Sequence, residues 1–196
     1  MRSSDRYVPA RAQSVKVLVL GPFAVGKTTF VRTVSEIRPL STEERMTRAG
    51  ELVDELDELS DKDTTTVAMD FGRLTLSEEI VLYLFGAPGQ PRFHGMVRSL
   101  MQGALGGLVL VDTRRIADSF DAIDLLEEAR LPYTVAVNHF SGSPRYSDAH
   151  LRDSLSMDDE QPLVSLDARE IGSAKHGLIA LVRHILYRPR HLEHTP

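Results

Sequence analysis

The feature that most constrains this chain is a glycine-rich loop between a strand pattern and a helix pattern. An apolar run at residues 15–20 leads directly into Gly21-x4-Gly26-Lys27-Thr28, and a helical pattern follows at once. Glycines allow backbone dihedrals that turn successive N–H groups toward an anion, and the helix start adds its positive dipole end. A chance match in a glycine-containing turn is the alternative, but the strand–loop–helix context predicts a phosphate-binding loop. In such a loop Lys27 reaches the β- and γ-phosphates and the Thr28 hydroxyl ligates Mg²⁺.

Composition limits the other classes of function. The chain has 196 residues, enough for one sizeable core, and its net charge of −5 argues against nucleic acid as a partner. Cysteine is absent, which excludes disulfides, thiolate metal sites and cysteine nucleophiles and fits a reducing cytoplasm. No apolar run approaches the ~18–20 residues of a membrane span. We therefore expect a cytoplasmic protein of one domain.

Apolar runs alternate with helical patterns along most of the chain. Strands are predicted at residues 15–20, 66–71, 79–85, 105–111, 133–138 and 162–166. Helices are predicted at residues 27–34, 91–101, 116–129, 147–155 and 173–187. Continuously apolar strands are typical of a sheet covered on both faces, and strand–helix alternation implies right-handed crossovers. The predicted fold is α/β: a single-domain P-loop NTPase with a mixed, mostly parallel six-stranded sheet flanked by about five helices.

The predicted domain occupies residues 15–187, between a flexible N-terminal arm at residues 1–14 and a C-terminal tail at residues 188–196. Residues 35–65 form a long charged segment, and such a loop in a small domain is usually functional or mobile. Within it Leu52, Leu56 and Leu59 recur at helical spacing on an acidic background. We interpret them as a short surface helix lying on the core, with a partner-binding helix as the alternative.

Polar residues at the ends of the other predicted strands extend the candidate site. Thr66 is the best-placed residue to reach Mg²⁺ and the γ-phosphate, and Thr65 is the second choice. After the third strand, Gly89 can offer a backbone N–H to the γ-phosphate and Gln90 can orient an attacking water, although a Pro-Gly turn alone explains both residues. Asp112 follows the fourth strand as a magnesium-binding acid would, but a cap of the following helix is favoured.

Four segments occur in a recognisable order: Gly-Pro-Phe-Ala-Val-Gly-Lys-Thr-Thr, Thr-Thr-Val-Ala-Met-Asp-Phe-Gly, Phe-Gly-Ala-Pro-Gly-Gln and Val-Asn-His-Phe. Over about residues 15–187 the chain resembles the Ras-like small GTPase superfamily. The segments are most similar to the small GTPases of bacterial conservon operons, and related gliding-motility polarity GTPases share the Pro-Gly-Gln segment. The resemblance implies a Ras-like G domain that acts as a GTP/GDP switch in bacterial signalling and hydrolyses GTP slowly with Mg²⁺.

The resemblance also implies roles on the phosphate side. The residues that would cradle the phosphates are Gly21, Ala24, Val25, Gly26, Lys27, Thr28 and Thr29. Thr28 and Thr66 would hold Mg²⁺. Gly89 would sense the γ-phosphate, and Gln90 and Lys27 would be the catalytic residues, Gln90 by positioning the hydrolytic water.

On the base side, the resemblance implies that Asn138 meets the base and that backbone around Ala168 contacts the purine oxygen. The usual Asn-Lys-x-Asp motif here reads Asn-His-Phe-Ser, with Ser141 in place of the acid that accepts two guanine hydrogen bonds. Loss of one charged acceptor removes about 1.5–3 kcal/mol of discrimination against adenine. Asp167 is the candidate substitute, and preference for GTP over ATP rests on the resemblance.

Two further positions depart from the pattern. Gly86 replaces the acid that usually supports Mg²⁺ through water, so the metal affinity is expected to be weaker. Phe23 replaces a usual glycine and would crowd an arginine arriving from a partner. Internal arginines could substitute, and none is singled out by its spacing: Arg45, Arg48, Arg73 and Arg92.

Partners follow from the resemblance alone. They are a guanine nucleotide, a small roadblock-type regulatory protein from the same operon and a membrane-associated sensor complex that would bring the protein to the membrane surface. Two other functions remain open. A non-hydrolysing adaptor on a GTPase fold is the second hypothesis. A small-molecule phosphotransferase is ranked last, because the sequence shows no arginine-rich lid that would bind an acceptor.

Overall fold

Seven strands form one sheet in the computed structural model, which describes residues 12–46 and 65–187. The strands are β1 (Gln13–Leu20), β2 (Leu40–Met46), β3 (Thr65–Thr75), β4 (Ile80–Gly86), β5 (Gly106–Val111), β6 (Tyr133–Asn138) and β7 (Leu163–Leu166). Their order across the sheet is β2-β3-β4-β1-β5-β6-β7. Strands β4, β1, β5, β6 and β7 are parallel, whereas β3 is antiparallel to both β2 and β4. The carboxyl ends of the five parallel strands therefore share one edge, where ligands of such sheets bind.

Helices cover both faces of the sheet. They are α1 (Lys27–Val34), α2 (His94–Met101), α3 (Phe120–Glu128), α4 (Asp148–Ser154) and α5 (Ile171–Tyr187), and short 3₁₀ turns at Pro91–Phe93 and Ile116–Ser119 lead into α2 and α3. One apolar core packs α1 and α5 against the sheet, and a second packs α2, α3 and α4 against the opposite face. Strand β5 lies between the two cores and all six of its residues are buried. Its continuous apolar run follows from this burial on both faces.

The predicted α/β architecture is confirmed, and each predicted strand and helix overlaps an observed one. The sheet has one strand more than the six predicted, because β2 lies within the segment that the sequence analysis treated as a loop. Its sequence, Leu-Ser-Thr-Glu-Glu-Arg-Met, lacks apolar alternation and gives no strand signal. β2 is ordered by its pairing with β3, from Leu40 opposite Phe71 to Met46 opposite Thr65.

The boundaries of the domain also differ at the N-terminus. Residues 13 and 14 belong to β1, although the sequence analysis assigned them to the arm. The rest of that arm up to residue 11, the tail at residues 188–196 and the leucine pattern of Leu52, Leu56 and Leu59 lie outside the described residues. Within the described residues, no helix combines the length and the apolar character needed to cross a membrane.

Candidate functional site

The P-loop connects β1 to α1 at the carboxyl edge of the sheet. Gly26 forms the N-cap of α1 in a left-handed conformation, with φ +103°. A Cβ at this position would also come within 2.7 Å of Asn138 Nδ2. Ala24 is left-handed as well, with φ +62°. The Phe30 N–H donates to the Gly26 carbonyl at 2.8 Å and closes the first turn of the helix. The loop is therefore held in the conformation that presents a helix N-terminus to the space above it.

Lys27 folds back over this loop. Its Nζ donates to the carbonyl of Gly21 at 2.8 Å and to that of Pro22 at 2.6 Å. Burial lowers the pKa of the Lys27 ammonium to about 8, and the nearby Asp70 carboxylate opposes that shift. A phosphate group beside this ammonium would offset its desolvation, so the site has a partly buried cation suited to an anionic ligand.

Asp70 is a site residue that the sequence analysis missed. Asp70 lies on β3 and is only 5% exposed. Its Oδ2 accepts a hydrogen bond from Thr28 Oγ1 at 2.5 Å. A threonine hydroxyl and a carboxylate are the oxygen ligands with which proteins hold Mg²⁺ beside nucleotide phosphates. These two residues therefore fit a magnesium site. The quoted segment Thr-Thr-Val-Ala-Met-Asp-Phe-Gly contained Asp70, but only strand register shows that it reaches Thr28.

Gly86 makes room for this carboxylate. It pairs with Asp70 across β3 and β4, and a Cβ added at Gly86 would lie 3.2 Å from Asp70 Cβ and 3.4 Å from its Oδ2. The acid that is missing at the end of β4, the third predicted strand, is thus matched by Asp70 on the adjacent strand β3. The weaker metal affinity expected from Gly86 stays a prediction, and the carboxylate beside Thr28 comes from β3 instead of β4.

A cavity of about 390 Å³ opens between the P-loop and the segment after β4. Its walls include Lys27, Thr28 and Asp70 on one side and Gly89 and Gln90 on the other. The predicted residues Ala24, Gly26 and Thr29 also line it. Six of the predicted phosphate-side residues and the predicted water-positioning Gln90 therefore share one space.

Gly89 approaches the P-loop too closely for any side chain. An added Cβ would lie 2.4 Å from the Gly21 carbonyl oxygen and 2.8 Å from Lys27 Nζ. The segment after β4 thus packs directly over the lysine. A group bound to that ammonium from above would contact or displace this segment.

The remaining phosphate-side residues lie behind the cavity or outside the described side chains. Gly21 and Val25 are buried in the loop and do not line the cavity. Thr66 belongs to the backbone of β3, opposite Arg45, but the side chains of both residues lie outside what the structure describes, as does all of Arg48. The magnesium role of Thr66 stays a prediction.

Asn138 joins the P-loop to the loop after β7. Its residue is 3% exposed. Its Nδ2 donates to the Val25 carbonyl at 2.9 Å, and its Oδ1 accepts from the Ala168 N–H at 2.9 Å. Both ends of the Asn138 amide, and the N–H predicted to contact a purine, are therefore paired within the protein.

Asp167 is paired with Arg169 through two short contacts from the guanidinium, 2.9 Å to Oδ1 and 2.7 Å to Oδ2. The hydrogen bonds from Arg169 lower the pKa of the Asp167 carboxyl to about 2. The carboxylate is therefore ionised over the ordinary pH range, and its oxygens already accept hydrogen bonds. A role for Asp167 toward guanine, in place of the acid missing at Ser141, stays a prediction.

Asp112 has a structural role at the end of β5. It is fully buried, accepts from the Arg114 N–H at 3.0 Å and is held by the Arg114 guanidinium at 2.6 Å. The hydrogen bond from Arg114 lowers the pKa of the Asp112 carboxyl. Asp112 closes the turn before the 3₁₀ segment and is not a helix cap: the N-cap of the 3₁₀ segment is Arg115, and that of α3 is Ser119. The Arg114 guanidinium also lies 4.3 Å over the Phe140 ring, beside Ser141.

Phe23 and the candidate arginines differ in how freely they can act. The Phe23 residue is 66% exposed at the tip of the P-loop, and its carbonyl accepts from Arg115 at 3.1 Å. Arg73 is ion-paired with Glu36 at 3.0 Å and is largely buried. Arg92 lines the cavity.

Within the described part of the chain, no cluster of three or more His, Cys, Asp or Glu side chains could hold a metal ion.

Comparisons with known proteins agree with this geometry. Among solved structures, the chain is similar to the cytosolic domain of the T. maritima FeoB iron transporter in a GDP form, with a TM-score of 0.63 and 15% sequence identity. The match covers 90% of this chain and 65% of the FeoB chain, so it spans less than two thirds of that protein. The likeness shows that the two chains share an α/β fold. No curated protein matches the chain significantly. A family profile described as "Conserved hypothetical ATP binding protein" matches residues 19–188, and the chain therefore belongs to that family.

Proposed function

We propose that the protein is a small GTP-binding protein that acts as a GTP/GDP-dependent switch and hydrolyses GTP slowly with Mg²⁺. One observation carries the proposal: the P-loop, the buried Lys27 ammonium and the Thr28–Asp70 pair line the same cavity. A polyphosphate needs backbone donors, a cation and metal-ligating oxygens close together, and this cavity offers all three.

Each group has a distinct part in this proposal. P-loop N–H groups and the α1 N-terminus would bind the phosphate oxygens, and Lys27 would exchange its contacts to Gly21 and Pro22 for contacts to the phosphates. Thr28 and Asp70 would hold the magnesium ion, which neutralises developing charge on the phosphates when it is bound. Gln90 would orient the hydrolytic water.

The choice of guanine rests on sequence resemblance and on a fold shared with a protein solved in a GDP form. The family description mentions ATP. In the base-side loops, Ser141 carries a hydroxyl in place of the usual carboxylate, and Asp167 is paired with Arg169. Both nucleotides must therefore be measured in parallel.

The switch would involve residues 86–96, from the last residue of β4 into the first turn of α2. Gly89 lies directly against Lys27, so a γ-phosphate that binds the ammonium must contact or shift this segment, whereas a diphosphate need not. A difference of this kind is how nucleotide state changes a partner surface. We further propose a roadblock-type regulatory partner in the cytoplasm and recruitment to a membrane-associated sensor complex through partners, both by resemblance alone.

A second candidate function is a nucleotide-binding adaptor that does not hydrolyse GTP. The exposed Phe23 ring at the tip of the P-loop favours it, because this side chain narrows the approach to the cavity from solvent. Multiple-turnover release of phosphate that is abolished in Gln90→Leu would exclude the adaptor. Absence of turnover, with tight binding retained, would support it.

The deciding experiment is a calorimetric titration of the purified protein with GDP, GTP, ADP and ATP in the presence of Mg²⁺. Lys27→Ala is expected to weaken binding of every nucleotide by at least about 100-fold, because a buried charge-assisted contact to phosphate is lost. Lys175→Ala, an exposed lysine on α5, is the matched control and should bind as the parent does. Equal affinity of the parent and Lys27→Ala would overturn the proposed function.

A further inference from the structure

One cation in the wall of the cavity is not used by the function proposed above. Arg92 lines the cavity together with Lys27 and Gln90. Its guanidinium lies 4.9 Å from the centre of the Phe93 ring. Among the described carboxylates, none is ion-paired with it. It is a charged group with no competing anionic partner in that part of the chain, beside a cavity suited to an anion.

The other described arginines that were candidates by sequence or that lie near the P-loop are already engaged. Arg73 is bound to Glu36 and Arg114 to the buried Asp112. Arg115 donates to the Phe23 carbonyl and lies 3.6 Å from Asp118. Moving any of these side chains into the cavity would break an existing pair. Arg92 would lose only its contact to the neighbouring ring, which costs little at an exposed site.

The backbone holds Arg92 and Gln90 in a fixed relation. Pro91 stands at the first position of the 3₁₀ turn, where its ring restricts φ. The Phe93 N–H donates to the Gln90 carbonyl at 3.0 Å, and Phe93 itself is buried. The turn is therefore fastened to the core on one side of Arg92 and closed by a hydrogen bond across it. The side chains of Gln90 and Arg92 therefore border the same cavity from one short, fixed turn.

We propose that Arg92 is an arginine supplied by this chain itself to the transition state of GTP hydrolysis. In that step a water oxygen bonds to the γ-phosphorus, the bond to the β–γ bridging oxygen breaks, and the products are GDP and orthophosphate with the proton released from water. Negative charge shifts toward the bridging oxygen, where a guanidinium stabilises it. This inference rests on the proposed function, because it assumes that GTP occupies the cavity.

The test compares the parent, Arg92→Ala, Arg92→Lys and the control Arg183→Ala, an exposed arginine on α5. We expect Arg92→Ala to lower the single-turnover rate by about 10- to 100-fold, in line with the roughly 20- to 30-fold difference in intrinsic rate between GTPases with an arginine in cis and GTPases without one, while its affinity for GDP changes less than about twofold. Arg92→Lys should restore little, because a lysine lacks the planar fork. Arg183→Ala should match the parent.

A second measurement does not depend on turnover. GDP with aluminium fluoride imitates the phosphate during its transfer. The parent should form this complex without any partner protein, and the complex is detected as slower release of a fluorescent GDP analogue. Arg92→Ala should not form it although it still binds GDP. A rate and a fluoride complex in Arg92→Ala equal to those of the parent would overturn the inference and leave the proposed function intact. Failure of the parent to bind or hydrolyse GTP would instead overturn the proposed function. Melting temperatures equal to that of the parent confirm that each variant is folded.

Discussion

The phosphate end and the base end of the candidate site differ in how their polar groups are used. At the phosphate end, Lys27, Thr28 and Asp70 face a cavity of about 390 Å³. At the base end, the Asn138 amide is paired with Val25 and Ala168, and Asp167 is paired with Arg169. Both ends carry internal hydrogen bonds, but the paired groups of the phosphate end border an open space, whereas the Asn138 amide is buried.

This difference separates affinity from selectivity. A charged group that faces a cavity can exchange its present contacts for contacts to a ligand, whereas a buried amide with both ends paired contributes to the fold. We therefore expect phosphate groups to dominate nucleotide affinity. The identity of the base should matter less, because one usual charged acceptor is missing at Ser141.

The largest expected effect concerns the base end and the stability of the protein. Asn138→Ala removes the partner of both the Val25 carbonyl and the Ala168 N–H, and we expect the free energy of unfolding to fall by about 2–4 kcal/mol. Urea unfolding measures this directly. Ser141→Ala, an exposed change in the same loop, is the control and should unfold as the parent does. An Asn138→Ala protein with parental stability and weaker nucleotide affinity would show that this residue serves the base, and the comparison would fail.

The next effect tests whether Asp70 belongs to the phosphate end. Asp70→Asn keeps the size of the side chain but removes its charge, so the gain in GTP affinity produced by Mg²⁺ should fall by about 10- to 100-fold. Titrations with Mg²⁺ and with a chelator measure that gain. Glu36→Gln alters another largely buried carboxylate, paired with Arg73 and away from the cavity, and should leave it unchanged. Full magnesium dependence in Asp70→Asn would remove Asp70 from the site.

A smaller effect follows from the lowered pKa of Lys27. Its pKa of about 8 in the ligand-free protein lies below the ordinary value of 10.5, and a bound phosphate would raise it again. Binding therefore takes up a proton above pH 8, and the affinity for GTP should fall about tenfold between pH 7 and pH 9. The same group should make the ligand-free protein more stable as pH rises from about 8 toward 10.5, because the unfolded chain then binds more protons.

Calorimetry across this pH range measures the change in affinity. Lys27→Arg is the matched control, since a guanidinium stays charged throughout, and its affinity should vary less with pH. An equal pH dependence in the parent and Lys27→Arg would show that another group titrates.

The smallest effect sharpens the base end. Ser141→Asp restores an acceptor for the guanine edge at an exposed position, and the ratio of GTP to ATP affinity should rise by about tenfold, the low end of the discrimination lost with the acid. Competition between the two nucleotides measures the ratio, and Ser141→Asn is the neutral control. A strong preference for GTP in the parent that Ser141→Asp does not increase would indicate that another group already reads the base.

The P-loop and most element boundaries could be predicted because their signals are local. Gly26, Lys27 and Thr28 are consecutive, and the helix predicted at residues 27–34 is the observed α1. Strand β2 could not be predicted, since its polar residues carry no periodic pattern and its order depends on pairing with β3. Segments whose conformation depends on a distant partner are the ones that local patterns miss.

Asp70 illustrates the same limit within the site. It stands 42 positions from Thr28 in the chain, and only the register of β3 against β4 brings its carboxylate to the hydroxyl. The pairing of Asn138 with Val25 and Ala168 likewise joins the end of β6 to two separate loops. Motifs indicated that these regions belong to one site, but which groups remain free for a ligand depends on contacts between elements.

The most direct test of the account compares three ligands on the unmodified protein with Mg²⁺: GTP, ATP and guanosine. If the phosphate end dominates, guanosine should bind at least about 1,000-fold more weakly than GTP, and ATP should fall much closer to GTP than guanosine does. Guanosine that binds within about tenfold of GTP would contradict the account, because the P-loop and Lys27 would then contribute little to recognition.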